Sequence, residues 1–210
     1  MNVRDGYASA AFDVLATRID GAHARTVGFT SAVFGEGVST LALGTALSLA
    51  TLQQEPVLLV DANWLQPSLT LDADLSLAAG LAEYLRAGAK GSYSPRPTSR
   101  SRLSFLPAGD HGGDHPPLRA APSFLGAAMA EYGTIVVDLP PVLASEALVH
   151  PWAASLDRLF LVIHEAATPL SLVRRALSTF GPNAQPQVIL NRSVRSAPAG
   201  RAKLRALAAR

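Results

Sequence analysis

A strand, a glycine-containing loop and a helix follow one another near residue 30, and their residue types are suited to holding phosphate. An apolar strand predicted over Thr26–Thr30 leads into the loop, and an apolar helix follows it. The small and hydroxylated residues of the loop and helix start are Gly35, Gly37, Ser39 and Thr40. Glycines let backbone N–H groups turn toward phosphate oxygens, and the helix N-terminus adds its own N–H groups. This arrangement predicts a phosphate-binding loop.

One charged residue that such loops normally carry is absent. A lysine usually precedes the Ser/Thr pair and reaches the β- and γ-phosphates, but Val38 occupies that position. Taken alone, the loop is equally consistent with an ordinary strand-to-helix turn in which Ser39 caps the helix.

Two aspartates stand at the ends of other apolar strands. Asp61 closes the run VLLVD, and Asp138 closes TIVVD just before two prolines. A lone aspartate at a strand end is commonly a turn or capping residue. Two of them beside a phosphate loop, with the Ser39 hydroxyl as a third oxygen ligand, are the groups that hold a nucleotide-bound Mg²⁺ ion. The metal ligands predicted are therefore Ser39, Asp61 and Asp138.

The elements that must position these residues follow from apolar periodicity. Strands are predicted at Thr26–Thr30, Pro56–Val60, Arg102–Leu106, Thr134–Val137, Leu159–Ile163 and Gln187–Leu190. Helices are predicted at Ser9–Ile19, Thr40–Leu52, Gly80–Arg86, Ser123–Tyr132, Glu146–Ala154 and Pro169–Phe180. Alternating strands and helices favour an α/β fold with a doubly wound, mostly parallel sheet flanked by helices. Ligands of such sheets lie at the carboxyl ends of the strands.

Composition narrows the class of protein further. Hydrophobic residues make up 49% of the 210 residues and charged residues 16%, which excludes a disordered or fibrous chain. The absence of cysteine excludes disulfides and thiolate metal sites. The longest apolar stretch, Leu41–Leu52, is shorter than a membrane span. With no secretory signal pattern at the N-terminus, a cytoplasmic protein is expected.

Charge is unevenly distributed along the chain. The net charge is +2, yet the last nineteen residues hold six arginines and lysines and no acid, so the remainder is at −4. We therefore predict a single domain over residues 1–195 and a basic tail over 196–210. A basic tail can touch an anionic membrane surface, whereas the weakly charged body disfavours binding to nucleic acid.

Taken together, these motifs resemble the bacterial tyrosine kinases (BY-kinases) and related exopolysaccharide-biosynthesis proteins, a branch of the MinD/ParA-type P-loop NTPases. The resemblance runs from about Ala10 to Val194. It is carried by the segments SAVFGEGVST from Ser31, LLVDANWLQP from Leu58 and DLPPVL from Asp138. It implies a P-loop NTPase-like fold, with Asp61 and Asp138 as catalytic residues. The implied nucleotide-binding residues are Gly35, Glu36, Gly37, Val38, Ser39, Thr40 and Asn191.

The sequence departs from the family pattern at residues that have functional roles in the family. Val38 replaces the phosphate lysine, Asn63 replaces an aspartate, and Leu65 and Gln66 replace paired arginines. The family's self-association motif of one glutamate and two arginines falls on Ala10, Asp13 and Ala16, and the C-terminal tyrosine cluster is absent.

The missing lysine bears differently on binding and on catalysis. One charge-assisted hydrogen bond is worth about 1.5–3 kcal/mol, so nucleotide binding through loop amides can survive its loss. Phosphoryl transfer depends on cations to a far greater degree. The departures therefore predict weak or absent ATP hydrolysis and phosphotransfer.

The resulting expectation is a pseudokinase-like protein that supports exopolysaccharide or capsule biosynthesis or export by protein–protein interaction. The implied partner is an inner-membrane chain-length or export protein, with self-association into a homo-oligomer and peripheral membrane contact through the tail. The implied ligand is Mg-ATP or Mg-ADP if the loop still binds nucleotide, and none otherwise. The alternatives are an active ATPase or tyrosine autokinase with an unorthodox loop and, less favoured, a ParA-like DNA-partitioning protein.

Overall fold

The computed structural model describes residues 3–88, 90, 92–110 and 115–192. The basic tail predicted at 196–210 lies outside the described residues, and the proposed domain limits remain a prediction. Within the described part of the chain, no helix is both long enough and apolar enough to cross a membrane.

In the described part of the chain, seven strands form one sheet. Their bounds are β1 Thr26–Ser31, β2 Val57–Asp61, β3 Arg96–Pro97, β4 Leu103–Leu106, β5 Thr134–Asp138, β6 Arg158–His164 and β7 Gln187–Asn191. The order across the sheet is β3-β4-β2-β5-β1-β6-β7, and only β3 runs antiparallel to its neighbour. All six predicted strands are confirmed to within one residue at each end. β3 was not predicted because two residues carry no apolar period.

Helices cover both faces of this sheet. Their bounds are α1 Val3–Gly21, α2 Val38–Leu52, α3 Ser68–Asp72, α4 Leu81–Arg86, α5 Ala121–Ala128, α6 Glu146–Ala153 and α7 Leu170–Thr179, with 3₁₀ turns at Leu118–Ala120 and Pro182–Ala184. The doubly wound, mostly parallel architecture is thereby confirmed.

Three helices differ from their predicted bounds by two residues or more, and one helix was not predicted. α1 spans Val3–Gly21 rather than Ser9–Ile19, because its first turns contain Arg4, Asp5 and Gly6 and show no apolar period. α2 begins at Val38 rather than Thr40.

α5 begins at Ala121, with Pro122 in its first turn, and ends at Ala128 rather than Tyr132. The following residues form a turn in which the Tyr132 N–H donates to the Ala128 carbonyl. α3 was not predicted because its five residues span little more than one turn.

The sheet separates two apolar layers. On one face, α1 and α2 cover side chains such as Val27, Phe29 and Phe160. On the other, α4 to α7 cover Leu58, Ile135 and their neighbours. The strands between the layers are buried on both faces, which explains their nearly continuous apolar runs.

α1 packs closely on α2 through residues that replace the family's self-association motif. Ala16 is fully buried in the layer between the helix and the sheet. The Asp13 carboxylate accepts a 2.6 Å hydrogen bond from the Ser48 hydroxyl of α2. Two of the three motif positions therefore contribute contacts within the chain, while Ala10 is exposed.

Gly80 sets the approach of α4 to the end of β4. A Cβ at this position would lie 2.1 Å from the Pro107 carbonyl oxygen and 2.8 Å from the Gly109 nitrogen. Both atoms belong to backbone, so they cannot move aside as a side chain would. The Glu83 carboxylate also accepts a hydrogen bond from the Gly80 N–H, which closes the first turn of α4.

We predict that Gly80→Ala lowers the free energy of unfolding by about 1–3 kcal/mol, the usual range for overpacking. Urea unfolding measures the change. The matched control is Gly126→Ala in α5, where an added Cβ meets nothing within 4 Å and helix propensity favours alanine. Equal stability of the two variants would contradict the close approach.

Candidate functional site

The sheet brings the two predicted aspartates side by side. β2 and β5 are adjacent parallel strands, and Asp61 pairs in register with Asp138. Both side chains are 0% exposed. Two carboxylates thus lie next to each other, out of contact with water, at the carboxyl edge of the sheet where ligands of such folds bind.

Asp61 is held by a short helix that follows it. One carboxylate oxygen accepts hydrogen bonds from the Thr70 N–H and the Thr70 hydroxyl, at 2.9 and 2.8 Å, and the other accepts from the Asn63 N–H. Burial raises the pKa of Asp61 to about 6, and these three hydrogen bonds partly offset the rise because they favour the ionised form. The contacts fix the orientation of the carboxylate.

Asp138 has no such support. Both of its carboxylate oxygens are buried, and neither has a hydrogen-bond partner among the described residues. Burial, followed by the neighbouring charge of Asp61, raises the pKa of Asp138 well above its usual value. The Ser39 hydroxyl acts in the opposite direction, although it lies outside hydrogen-bond geometry with both oxygens. A buried carboxylate with no partner is costly, and structures tolerate it mainly where a ligand completes the site.

The carboxylate pair and the Ser39 hydroxyl fit a divalent cation of the Mg²⁺ type. They supply only hard oxygen donors, which Mg²⁺ prefers, and few of them, which suits an ion that keeps several waters and binds ligand phosphates. Among the described residues there is no cluster of three or more His, Cys, Asp or Glu that forms an alternative metal site. The orphaned oxygens of Asp138 are the groups that such a cation would satisfy.

The predicted phosphate loop connects β1 to α2. Gly35 and Gly37 have φ angles of 85° and 89°, in the left-handed region that glycine adopts without strain. α2 begins immediately afterwards at Val38. Near its start, the Ser39 hydroxyl accepts a 2.9 Å hydrogen bond from the Ser68 hydroxyl, and Thr40 is exposed. The backbone geometry of the loop therefore suits a phosphate.

Val38 occupies the position of the phosphate lysine, but its side chain packs into the protein rather than facing the loop surface. Its side chain is only 8% exposed and belongs to the apolar layer under α1 and α2. A lysine at this position would have to direct its ammonium out of that layer. The loop therefore presents glycine backbone without the cation that normally accompanies it.

Glu36 and Asn191 fasten the loop to the far half of the sheet. The Glu36 carboxylate, which is buried, accepts hydrogen bonds from the His164 N–H at the end of β6 and from the Thr168 hydroxyl. The Asn191 side-chain amide donates to the Glu36 carbonyl at 2.7 Å. A Cβ on Gly37 would lie 2.3 Å from that same amide nitrogen. Asn191 thus contacts the loop, and Glu36, which is itself a loop residue, anchors the loop to β6. Contact of either residue with a nucleotide remains a prediction.

Residues after Asp61 take structural positions. The Asn63 side-chain oxygen accepts from the Gln66 N–H and closes a turn. Trp64 is buried, and its indole N–H donates to the Ala108 carbonyl at 3.0 Å. The other tryptophan, Trp152, is fully buried, so both tryptophans are packing residues.

Several residues of the site were not predicted from the sequence. Thr70, Ser68 and Thr168 reach it through hydrogen bonds. Each is a common hydroxylated residue in a segment without a motif, so only the folded geometry shows its role.

Solved structures with the same architecture include kinases and an ATPase. No family model and no curated protein matches the chain. The kinase domain of VpsO superposes with a TM-score of 0.77 at 27% identity, covering 91% of this chain and 97% of that one. The kinase domain of the Escherichia coli tyrosine kinase ETK gives 0.72 at 18% identity, covering 91% and 79%. A ParA family ATPase from Chlorobium tepidum gives 0.64 at 23% identity, covering 81% and 75%.

The fold is P-loop NTPase-like, of the kind that MinD/ParA-type ATPases have, and the loop and the two aspartates lie at the edge of the sheet where ligands of such folds bind. Within that class the structural neighbours include bacterial tyrosine-kinase domains, which confirms the BY-kinase resemblance stated from the motifs.

The buried Asp138 carboxylate, which lacks a hydrogen-bond partner among the described residues, leads to a prediction about how the stability of the protein depends on pH. The pKa values of Asp61 and Asp138 are both raised on folding, so their contribution to stability is fully present below the unfolded value near 4. It is lost as pH rises through the folded pKa of each group, which is about 6 for Asp61. We expect the metal-free protein to be less stable at pH 8 than at pH 5. Asp138→Asn should recover about 1–3 kcal/mol at pH 8.

Urea melts in EDTA at both pH values test this expectation. Asp61→Asn is the matched control, since that substitution also disturbs the two bonds from Thr70 and should not stabilise as much. A destabilised Asp138→Asn protein at pH 8 would contradict the absence of partners around this carboxylate.

Proposed function

We propose that this protein is a degenerate, BY-kinase-like scaffold. It keeps the loop backbone and the aspartate pair of a nucleotide site but has weak or absent ATP hydrolysis and phosphotransfer, and it acts through protein–protein interaction. The observation that carries the proposal is the burial of Val38 in the apolar layer at the position of the phosphate lysine. Phosphoryl transfer depends on cations that stabilise developing charge, so this replacement removes a catalytic group.

Two of the described tyrosines, Tyr84 and Tyr93, have phenol groups that are held by packing or by a hydrogen bond, which supports loss of autokinase activity. Tyr84 is buried in an aromatic cluster with Tyr93 and Phe124. The Tyr93 hydroxyl is hydrogen-bonded to Glu131, and burial followed by this carboxylate raises the pKa of Tyr93. Phenol groups held in this way are poor phosphate acceptors because packing restricts their access to a donor.

The biological setting follows from the BY-kinase resemblance. The proposed role is support of exopolysaccharide or capsule biosynthesis or export, through an inner-membrane chain-length or export protein. The protein would act in the cytoplasm, peripherally at the inner membrane, and would self-associate. Mg-ATP or Mg-ADP is the proposed ligand, with Ser39, Asp61 and Asp138 holding the metal. When bound, Mg²⁺ would neutralise phosphate charge, and the loop amides around Gly35 and Gly37 would orient the phosphates.

Calorimetric titration with Mg-ADP and Mg-ATP tests the state of the site. We expect weak or undetectable binding by the wild-type protein and an affinity about 10- to 150-fold higher in Val38→Lys, the value of one charge-assisted hydrogen bond. Val38→Met is the matched control, because it supplies a similar length without the charge. Thermal unfolding of each variant verifies that the fold survives the substitution.

Two results would contradict the scaffold proposal. One is wild-type binding at micromolar concentration that Val38→Lys leaves unchanged, since another cation would then serve the phosphates. The other is wild-type hydrolysis at a rate comparable to that of an active kinase domain.

An active ATPase or tyrosine autokinase is the second candidate, and the unpartnered carboxylate of Asp138 favours it. A catalytic metal site needs an oxygen ligand that the protein does not already occupy. If this candidate holds, phosphate release from Mg-ATP is measurable and disappears in both Asp61→Ala and Asp138→Ala. Absence of turnover in the wild-type protein, with the fold intact, would contradict it.

A further inference from the structure

The outer edge of the sheet at β7 combines open backbone, exposed apolar side chains and positive charge. Within residues 3–192, as far as the structure describes them, β7 is the last strand of the order and pairs only with β6. Val188 is 47% exposed and Leu190 60% exposed. Their register partners on β6, Leu161 and Ile163, are buried beneath the helices of that face. The covering layer therefore ends before it reaches β7.

Backbone groups of the same two residues point away from the sheet. The Asn191 carbonyl accepts from the Glu165 N–H on the β6 side. Since backbone direction alternates along a strand, Ile189 and Gln187 also face β6, and the N–H and C=O groups of Val188 and Leu190 face outward. An edge of this kind is a template for one more strand.

The surroundings of β7 are basic. Arg158 lines one shallow cleft together with Asp157 and with Gln187 at the start of the strand, and Arg192 follows its end. The Asp157 carboxylate accepts hydrogen bonds from the Arg25 and Thr26 N–H groups, on the β1 side of β6 and away from β7. Both arginines are exposed, as are Arg174 and Arg175 of α7. The sequence contains no aspartate or glutamate after Glu165, whereas it contains eight arginines and lysines there. Charge complementarity thus selects an acidic occupant.

The same charge argues against two other occupants. The chain beyond Arg192 is itself basic, so it would bring like charge to the edge. A second copy paired through its own β7 would place arginines of both copies together. A membrane surface supplies negative charge but no backbone groups to pair with those of Val188 and Leu190.

From these observations we propose that β7 is a docking edge for an acidic, extended segment of a partner protein. Such a segment would add as an eighth strand and pair its backbone with that of Val188 and Leu190. Its apolar side chains would pack against the side chains of these two residues. Its acidic residues would face Arg158 and Arg192. This proposal specifies the docking surface and the chemistry of the partner, and it rests on the proposed function for its biological meaning. The observations behind it do not involve Val38.

Peptide binding to the full chain tests the proposal. The probe is an octapeptide of alternating Glu and Val, and the comparison probe has Lys in place of Glu. We expect saturable binding of the acidic peptide alone, weakened at least about tenfold by Val188→Asp and by Val188→Pro, which removes an outward N–H. Arg158→Glu should weaken the acidic peptide and favour the lysine peptide. Leu77→Asp, a fully exposed leucine elsewhere, is the matched control and should have no effect.

Amide hydrogen exchange distinguishes the remaining occupants. Val188 and Leu190 should exchange rapidly in the free protein and slowly with the acidic peptide. Slow exchange in the free protein would overturn the proposal in favour of the chain's own tail, or of a second copy if protection rises with concentration. Phosphatidylglycerol vesicle binding that Val188→Asp abolishes, without peptide binding, would overturn it in favour of a membrane.

Equal binding of both peptides would also overturn the proposal. None of these variants alters the phosphate loop, so nucleotide titration of the same proteins reports separately on the proposed function.

Discussion

The pairing of Asp61 with Asp138 across two adjacent strands is the constraint on which the site depends. Strand register places both carboxylates at one level of the sheet, and the apolar layers on either side exclude water from them. Their mutual repulsion in this environment disfavours the doubly ionised state unless a cation is added. The rest of the site responds to this pair: Thr70 and Asn63 hold one carboxylate, and the loop that ends at Ser39 lies beside the other.

The phosphate loop is connected to the other half of the sheet through Glu36. Its carboxylate and carbonyl accept hydrogen bonds from groups at the ends of β6 and β7. The Asn191 side chain therefore joins the loop directly to the end of β7. The loop and the edge are neighbours in the fold even though more than 150 residues separate them in the chain.

Much of the fold was accessible from the sequence, because strands buried on both faces are continuous apolar runs and the helices between them have a clear period. The positions of Asp61 and Asp138 at strand ends, and of Gly35 and Gly37 in the loop after β1, followed from the same pattern. The sequence could not show that Asp138 lacks partners or that Glu36 faces inward, since both depend on which side chains meet from distant segments. It also could not identify α3 or β3, which are too short to show a period. Thr70 was not predicted because its role also depends on which side chains meet in the folded protein.

The packing of Val38 links the charge of the loop to the stability of the fold. Because its side chain fills part of the layer beneath α2, replacing it by lysine would withdraw apolar volume from the core as well as add charge to the loop. Selection for a stable fold alone therefore favours an apolar residue at this position, whatever the loop binds.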